Sequence, residues 1–333
     1  MYMKGFSRVS GVGGYLPENI VESETLMDEI KSETRFGMRR DWLNDVVGVE
    51  QRRVAPDGAR PSDLALEAGR VAVEDAGIDG RDIDLVIYCG IDRDWCEPAT
   101  AHRIQAELAP GAACFDITNA CHGVMNGVMV ANSMIGGGGA ENVLVVTGEL
   151  PSRVMKEAIR RINLSENRED FRRWLGALTV GDSGGALMVS RKQNEEQGFR
   201  SLSFHSAGKH AELCYYRDGE NGLEGQMLMS EISQEIIGMH AEHINETYHH
   251  LAWSPDNIDK LVAHQVGWRP QVTLAKKARV TIDRATHTFK QFGNLVSATI
   301  PVNLWLNRPK ASERVLILGT GSGLSISQSG MVF

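Results

Sequence analysis

The sequence predicts an α/β fold built from two similar halves, and three observations carry that prediction. Short β-rich runs alternate with helical patterns along most of the chain, the order that feeds a layered α/β architecture. The passages recur in matching order: GIDGRDIDLVIYCG in the first half is answered by LAWSPDNIDKLVAHQ in the second. Pairing Ile83 with Ile258, and Val143 with Val315, requires nearly the same shift along the chain, as a duplicated unit would. Finally, each half ends in a Gly-rich strand, VGDSGGALMVS at 180–190 and GTGSGLSISQSGMV at 319–332.

The elements follow in chain order. SDLALEAGRVAVEDAG at 62–77 carries its apolar residues at helical spacing, with Ser62 as N-cap and Gly77 as the stop. IDLVIYCG at 83–90 and ENVLVVTG at 141–148 are short apolar runs bounded by polar residues, which reads as buried strands. CFDITNA is a strand that delivers Cys121 to the start of a helix whose first turns contain Gly123 and Gly127. The insertion at 151–179 reads as a helical cap over a cleft. The Gly/Glu-rich span Gln193 to Gly198 is the expected boundary, dividing the chain into 1–195 and 196–333. In the second half, SEISQEIIGMHAEHINETYHHL at 230–251 is a long helix, KLVA a strand that ends at His264, and ERVLILGTG the counterpart of ENVLVVTG.

Composition narrows the function. The 333 residues are 42% hydrophobic, enough to bury a large core. A net charge of -8 argues against general nucleic-acid binding. No apolar stretch is long enough for a membrane span, and the N-terminus lacks a signal-peptide pattern. Five cysteines in unpaired spacing, with no C-x-x-C, fit reduced thiols in a cytoplasm and argue against a disulfide framework or a structural zinc.

A cysteine where a strand meets a helix has a physical use. The helix N-terminus offers unpaired N–H groups and about half a positive charge, which favours a thiolate. The competing reading of Cys121 is an inert core thiol. His122 is adjacent, and neighbouring helical residues face different ways, so it is not expected to serve as the base. His264, after KLVA, can exchange a proton or donate to a developing oxyanion, or be an ordinary strand-end histidine. Asn294, in FGN, can donate to a thioester oxygen or cap a helix. Papain-like peptidases also run Cys, His, Asn, but their local Cys-Gly-x-Cys-aromatic signature is absent here and the internal repeat has no place in that fold.

The motifs D-I-x-x-A-C-x-G, G-D-S-G-G-A, H-Q-x-x-W-R and G-N-x-x-S-A-x-I-P, in that order, resemble the thiolase superfamily, in its β-ketoacyl-acyl-carrier-protein synthase III branch. The likeness covers nearly the whole chain. It implies a thiolase fold, with duplicated βαβαβαββ halves in a five-layered αβαβα core, and a homodimer. It implies that Cys121 is acylated, that His264 and Asn294 bind the thioester carbonyl, and that backbone N–H groups of Cys121 and Ser322 form the oxyanion hole. Trp42, Trp268 and Arg269 fall at substrate-binding positions. No cofactor is implied; acyl-CoA or acyl-carrier-protein thioesters are the substrates and the carrier a partner. GTGSG runs into a strand, not a helix, so it cannot hold a dinucleotide pyrophosphate.

Within the branch, RDWCEPATA resembles the enzymes that join two fatty acyl thioesters head to head in olefin biosynthesis, and those that link polyketide chains. There a Glu enters the partner's site as a base, which makes Glu97 the candidate here. A simple acyl thioester has no carboxylate to expel, so its α-carbon needs a base, and a desolvated carboxylate suits that work. The alternative is a loop acid as solvated as Asp92 and Asp94 nearby. Val46 and Gly267 replace an Arg and an Asn of the chain-initiating enzymes, which points away from acetyl-CoA priming. The resemblance therefore implies a Claisen condensation giving a β-keto product. A malonyl-dependent synthase, acyl transfer to oxygen or nitrogen, and a non-catalytic partner subunit are the alternatives. Two features stay two-sided. The basic residues Arg153, Lys156, Arg160, Arg161, Arg168, Arg172 and Arg173 suit an acidic carrier protein, or a mixed solvated face with Glu157, Glu166, Glu169 and Asp170. Met125, Met129 and Met134 suit an acyl tunnel or core packing.

Overall fold

The structure is a computed structural model that describes residues 1–165, 167–220 and 222–333. Its strands are β1 (Tyr2–Lys4), β2 (Ser7–Tyr15), β3 (Ile20–Glu22), β4 (Gln51–Arg53), β5 (Leu85–Tyr88), β6 (Ala113–Asp116), β7 (Asn142–Glu149), β8 (Ser183–Arg191), β9 (Gly198–Ser206), β10 (Cys214–Gly219), β11 (Gly222–Met227), β12 (Lys260–Ala263), β13 (Arg314–Gly321) and β14 (Ser325–Val332). The helices are α1 (Ser23–Glu29), α2 (Ser32–Phe36), α3 (Pro61–Ala76), α4 (Ala101–Leu108), α5 (Gly123–Gly136), α6 (Ser152–Leu164), α7 (Arg168–Leu175), α8 (Met229–Leu251), α9 (Trp268–Ala278), α10 (Phe289–Phe292) and α11 (Thr299–Leu306).

Two five-stranded sheets run in the orders β2-β8-β7-β5-β6 and β1-β9-β14-β13-β12. The internal repeat is visible in the register. Leu85 pairs with Val143 across parallel β5 and β7, and Lys260 pairs with Val315 across parallel β12 and β13. These are the equivalences that the two sequence pairings demand. The division of the halves is crossed by strand pairing: β1, from the N-terminus, pairs with β9 of the second sheet, and Val180 bridges to Asn294.

The central strands β5, β7, β12 and β13 are largely apolar because both faces are covered. Alternate residues serve different layers. Leu85, Ile87, Val143 and Val145 join Val262, Val315 and Ile317 of the other sheet around α5 and α11. Val86, Tyr88, Leu144 and Val146 face the outer helices α3 and α4. Leu261, Ala263, Leu316 and Leu318 face α8 and α9. The result is helix, sheet, helix, sheet, helix. The 151–179 insertion forms α6 and α7, which pack with Leu26, Met27, Phe36 and Leu43 as a separate apolar cap.

Ser62 is not the N-cap of α3. Arg60 takes that position and Pro61 opens the helix, since its fixed φ and missing N–H suit the first turn. The Ser62 hydroxyl instead donates to Asp94 at 2.6 Å. Gly77 does end the helix, in the left-handed region at φ +62°.

Helix α3 lies so close to the first sheet that only glycine fits beneath it. A Cβ on Gly148 would sit 1.8 Å from the Pro61 carbonyl oxygen. Gly148→Ala is expected to destabilise the protein by about 3 kcal/mol, the upper end for overpacking, seen as a lower urea midpoint with unchanged m-value.

Candidate active site

The site is assembled where the chain leaves its strands. After β6, Ala120 takes a left-handed φ of +47°, turning the backbone so that Cys121 precedes the first turn of α5. Asn126 locks this elbow: its Oδ1 accepts from Asn119 Nδ2 at 2.8 Å and lies 3.1 Å from His122 Nδ1. Gly123 and Gly127 let α5 approach β5 and β7, not a substrate: a Cβ on Gly123 would meet the Cys89 carbonyl oxygen at 2.2 Å, and one on Gly127 the Cys89 sulfur at 2.6 Å.

His264 continues the β12 ladder, its N–H donating to Leu318 at 2.9 Å. Asn294 is pinned by its backbone, donating to Thr179 at 2.8 Å and accepting from Gly181 at 3.0 Å. Its Oδ1 accepts the Val296 N–H at 2.9 Å, which leaves the amide nitrogen as the free donor. Val296 reaches that position only with φ +54°, a conformation that costs a β-branched residue on the order of 1–3 kcal/mol. Strain of this size persists where the surroundings over-determine it, and Asn294 is what it orients.

Cys121, His264, Asn294 and Ser322 line one pocket, with Thr320, Gly321 and Cys214 beside them. Its empty volume is about 670 Å³, including the part open to solvent. Ile232, Ile236, Ile237, Val266 and Leu274 make the walls apolar. Such a chamber suits an acyl chain with a few polar groups at its end.

The electrostatics overturn one expectation. Cys121 keeps partial access to solvent, yet burial, then Cys214 and Glu149, push its thiol well above the ordinary range. The helix N-terminus does not win over desolvation in the resting state. His264 is lowered to about 4, chiefly by burial and then by His122. The resting pair is thus neutral thiol and neutral imidazole. The α5 dipole is left to act on charge as it develops during attack. His264 Nδ1 is buried without a hydrogen-bond partner among the described residues.

The other candidates divide. Trp268 and Arg269 are exposed at the start of α9, next to the pocket-lining Pro270 and Gln271. Trp42 does not line the pocket; it packs against the apolar cap. His122 lies buried against β13, where a Cβ on Gly321 would come within 2.7 Å of it. Glu97 is exposed and does not line the pocket of its own chain. The loop that carries it is firmly held, contrary to the expectation of solvated acids. Asp92 accepts from the Leu150 N–H at 2.9 Å. Asp94, its side chain fully buried, accepts from Ser62 and pairs with Arg103.

The structure also places the two-sided features. Arg172 pairs with Glu231, Arg173 with Glu169, Arg160 and Arg161 with Glu157, and Lys156 with Asp57. Arg153 and Arg168 donate to the carbonyls of Ala59 and Phe36. The insertion is a face of mixed charge, with five of its seven cations in ion pairs; Glu166 lies outside the described residues. Met125 and Met129 pack in the central core and Met134 is exposed, so none lines the pocket.

Two residues of note escaped the sequence reading. Cys214, at the start of β10, is a second thiol in the pocket, and a lone cysteine opening a short polar strand gave no signal. Glu149 is buried at the end of β7 and raised to about 8, first by burial and then by Asp92. A carboxylate closing an otherwise apolar strand was its visible mark.

Models of the 3-oxoacyl-(acyl-carrier-protein) synthase III family and of its C-terminal domain match residues 115–208 and 249–331. The chain is 30% identical over 333 residues to β-ketoacyl-(acyl-carrier-protein) synthase III of Rhodospirillum rubrum, covering 96% of this chain and 97% of that one. The chain belongs to the 3-oxoacyl-(acyl-carrier-protein) synthase III family. As a member it has the thiolase fold and is a condensing acyltransferase. It is also 29% identical over 311 residues, 90% of each chain, to the acyl-CoA:acyl-CoA alkyltransferase of Xanthomonas campestris pv. campestris. Solved structures of Xanthomonas campestris OleA superpose with TM-score 0.90: the cerulenin-bound form at 27% identity, over 99% of this chain and 98% of that one, and a form with lauric acid and lauroyl-CoA at 26%, over 99% and 100%. Variants of that protein have been solved with a cysteine, a glutamate or a histidine replaced. No helix among the described residues is long and apolar enough to cross a membrane.

Proposed function

We propose that the enzyme joins two acyl thioesters without a malonyl unit. One thioester transfers its acyl group to Cys121 and releases its thiol. A second thioester then enters the same pocket, and Glu97 from the other subunit of a homodimer removes its α-proton. The carbanion attacks the acyl-enzyme carbonyl, Cys121 leaves as thiolate, and a β-keto thioester results. The Asn294 amide and the His264 ring hold the carbonyl oxygens, with the backbone N–H groups of Cys121 and Ser322 on the developing oxyanion.

The observation that carries this reading is the separation of the groups. Nucleophile and helpers share an apolar pocket, while the carboxylate stands outside on a well-anchored, exposed loop. That loop adjoins the open edge of the first sheet, where β6 is outermost. Ile91, Trp95 and Phe115 expose 46%, 40% and 39% of their surface there. An open strand edge beside exposed large apolar groups favours a second copy, which would carry Glu97 toward a neighbouring pocket. The acyl-CoA:acyl-CoA alkyltransferase relative supports simple acyl thioesters as substrates.

The test is product analysis. Incubation with lauroyl-CoA alone is expected to yield the β-keto product of two lauroyl units. Product only when malonyl-CoA or a malonyl carrier protein is added would assign the protein to the malonyl-dependent members instead.

A further inference from the structure

Glu149, Thr147 and Ser297 form a closed triangle. Thr147 Oγ1 is 2.9 Å from Glu149 Oε1 and 2.8 Å from Ser297 Oγ, and Ser297 Oγ also bonds Glu149 Oε1. All three side chains are buried. Each edge needs one hydrogen. The two hydroxyls supply two, and a carboxylate supplies none, so an ionised Glu149 leaves two oxygens facing each other with no proton between them. A carboxylic acid supplies the third hydrogen and closes the ring.

We propose that Glu149 is a positioning residue that works as a protonated acid, its proton completing this ring and so setting the strained turn that presents Asn294 to the reacting carbonyl. Ser297 adjoins Val296, the residue whose positive φ brings its N–H to Asn294 Oδ1. Holding the Ser297 hydroxyl therefore holds the turn. The same carboxyl also receives the Ile91 N–H, 3.3 Å from Oε2. Ile91 lies on the loop between β5 and α4 that carries Glu97. One acid thus braces the Asn294 turn and the base of the Glu97 loop. Only this last link rests on the proposed function; the ring and its hold on Asn294 do not.

The surroundings favour the proton. The ionisable groups that act on Glu149 or feel it are Asp92 on the loop after β5, Tyr88 and Cys89 on β5, and Cys121 ahead of α5, with Asp182 facing Asp92 behind them. Each is an acid. Ionising Glu149 would add a negative charge beside Asp92 in a desolvated site.

The experiment compares wild type with Glu149→Gln and Glu149→Ala as full-length protein. The infrared difference spectrum of wild type minus Glu149→Gln at pH 7 is expected to show the C=O stretch of a protonated carboxylic acid. Acylation of Cys121 by lauroyl-CoA, followed by intact mass, is expected to slow at least tenfold in Glu149→Ala and to return within about threefold of wild type in Glu149→Gln, whose amide can donate in the ring. Wild-type acylation should weaken as pH rises through about 8, and the Gln variant should lack that limb. A carboxylate band at pH 7, or a Gln variant as slow as the Ala variant, overturns the proposal. None of these readouts involves Glu97, so an idle Glu97 would undo the condensation reading while leaving this one standing.

Discussion

Cys121→Ser abolishes the acyl adduct that wild type forms with lauroyl-CoA, a fall of roughly 10⁴-fold or more in acylation rate, the scale seen when a nucleophile is removed. The expectation is severe because nothing else in the pocket is equipped to substitute. A serine hydroxyl is harder to deprotonate than even a buried thiol, and the resting imidazole of His264 is held near 4, a weak base for that task. Cys214 is the one rival. It lines the same pocket, but burial raises its thiol too, opposed by a hydrogen bond with Ser322. It also lacks the helix N-terminus that Cys121 adjoins. Intact-protein mass spectrometry with peptide mapping checks both points. An adduct of normal yield in the serine variant, mapped to Cys214, would show that the wrong thiol has been assigned.

Glu97→Ala keeps acylation within about threefold and loses condensation of two lauroyl units by about 10³-fold, within the range for a general base. The split follows from geometry. Glu97 lies outside its own chain's pocket, on a loop anchored by Asp92 and Asp94, so removing its carboxylate leaves Cys121, His264 and Asn294 untouched. An α-proton of a simple thioester still has to go somewhere. Single-turnover acylation and β-keto product yield, measured on the same preparation, separate the steps. Unchanged product formation in the variant would mean that Glu97 is a surface acid. Acylation and condensation failing together would mean that the loop is structural for the pocket.

The fold was legible because its signals are local and repeated. Apolar runs of strand length, a helix with Gly77 at its end, and two concordant pairings between the halves were all in the residue order. The pairing of Leu85 with Val143 and Lys260 with Val315 shows that the repeat is one of register, not of composition. What misled was local reading of residues with distant partners. Ser62 has the chemistry of an N-cap, but Pro61 starts the helix and Asp94 takes the hydroxyl. Asp92 and Asp94 look like solvated loop acids until Leu150, Ser62 and Arg103 arrive from elsewhere in the chain. The basic insertion reads as a run of free cations until Asp57 and Glu231, distant in the chain, pair with Lys156 and Arg172.

Residue order alone pointed to the layered architecture and, through four ordered motifs, to Cys121, His264 and Asn294, which the structure gathers in one pocket, because strand ends and helix starts are written in a few consecutive residues. Tertiary structure alone decided that the thiol rests protonated, that Cys214 and the α8 isoleucines share its chamber, and that Glu149 spans two loops. Those properties are set by desolvation and by hydrogen bonds between groups far apart in the chain, and short sequence patterns carry no record of either.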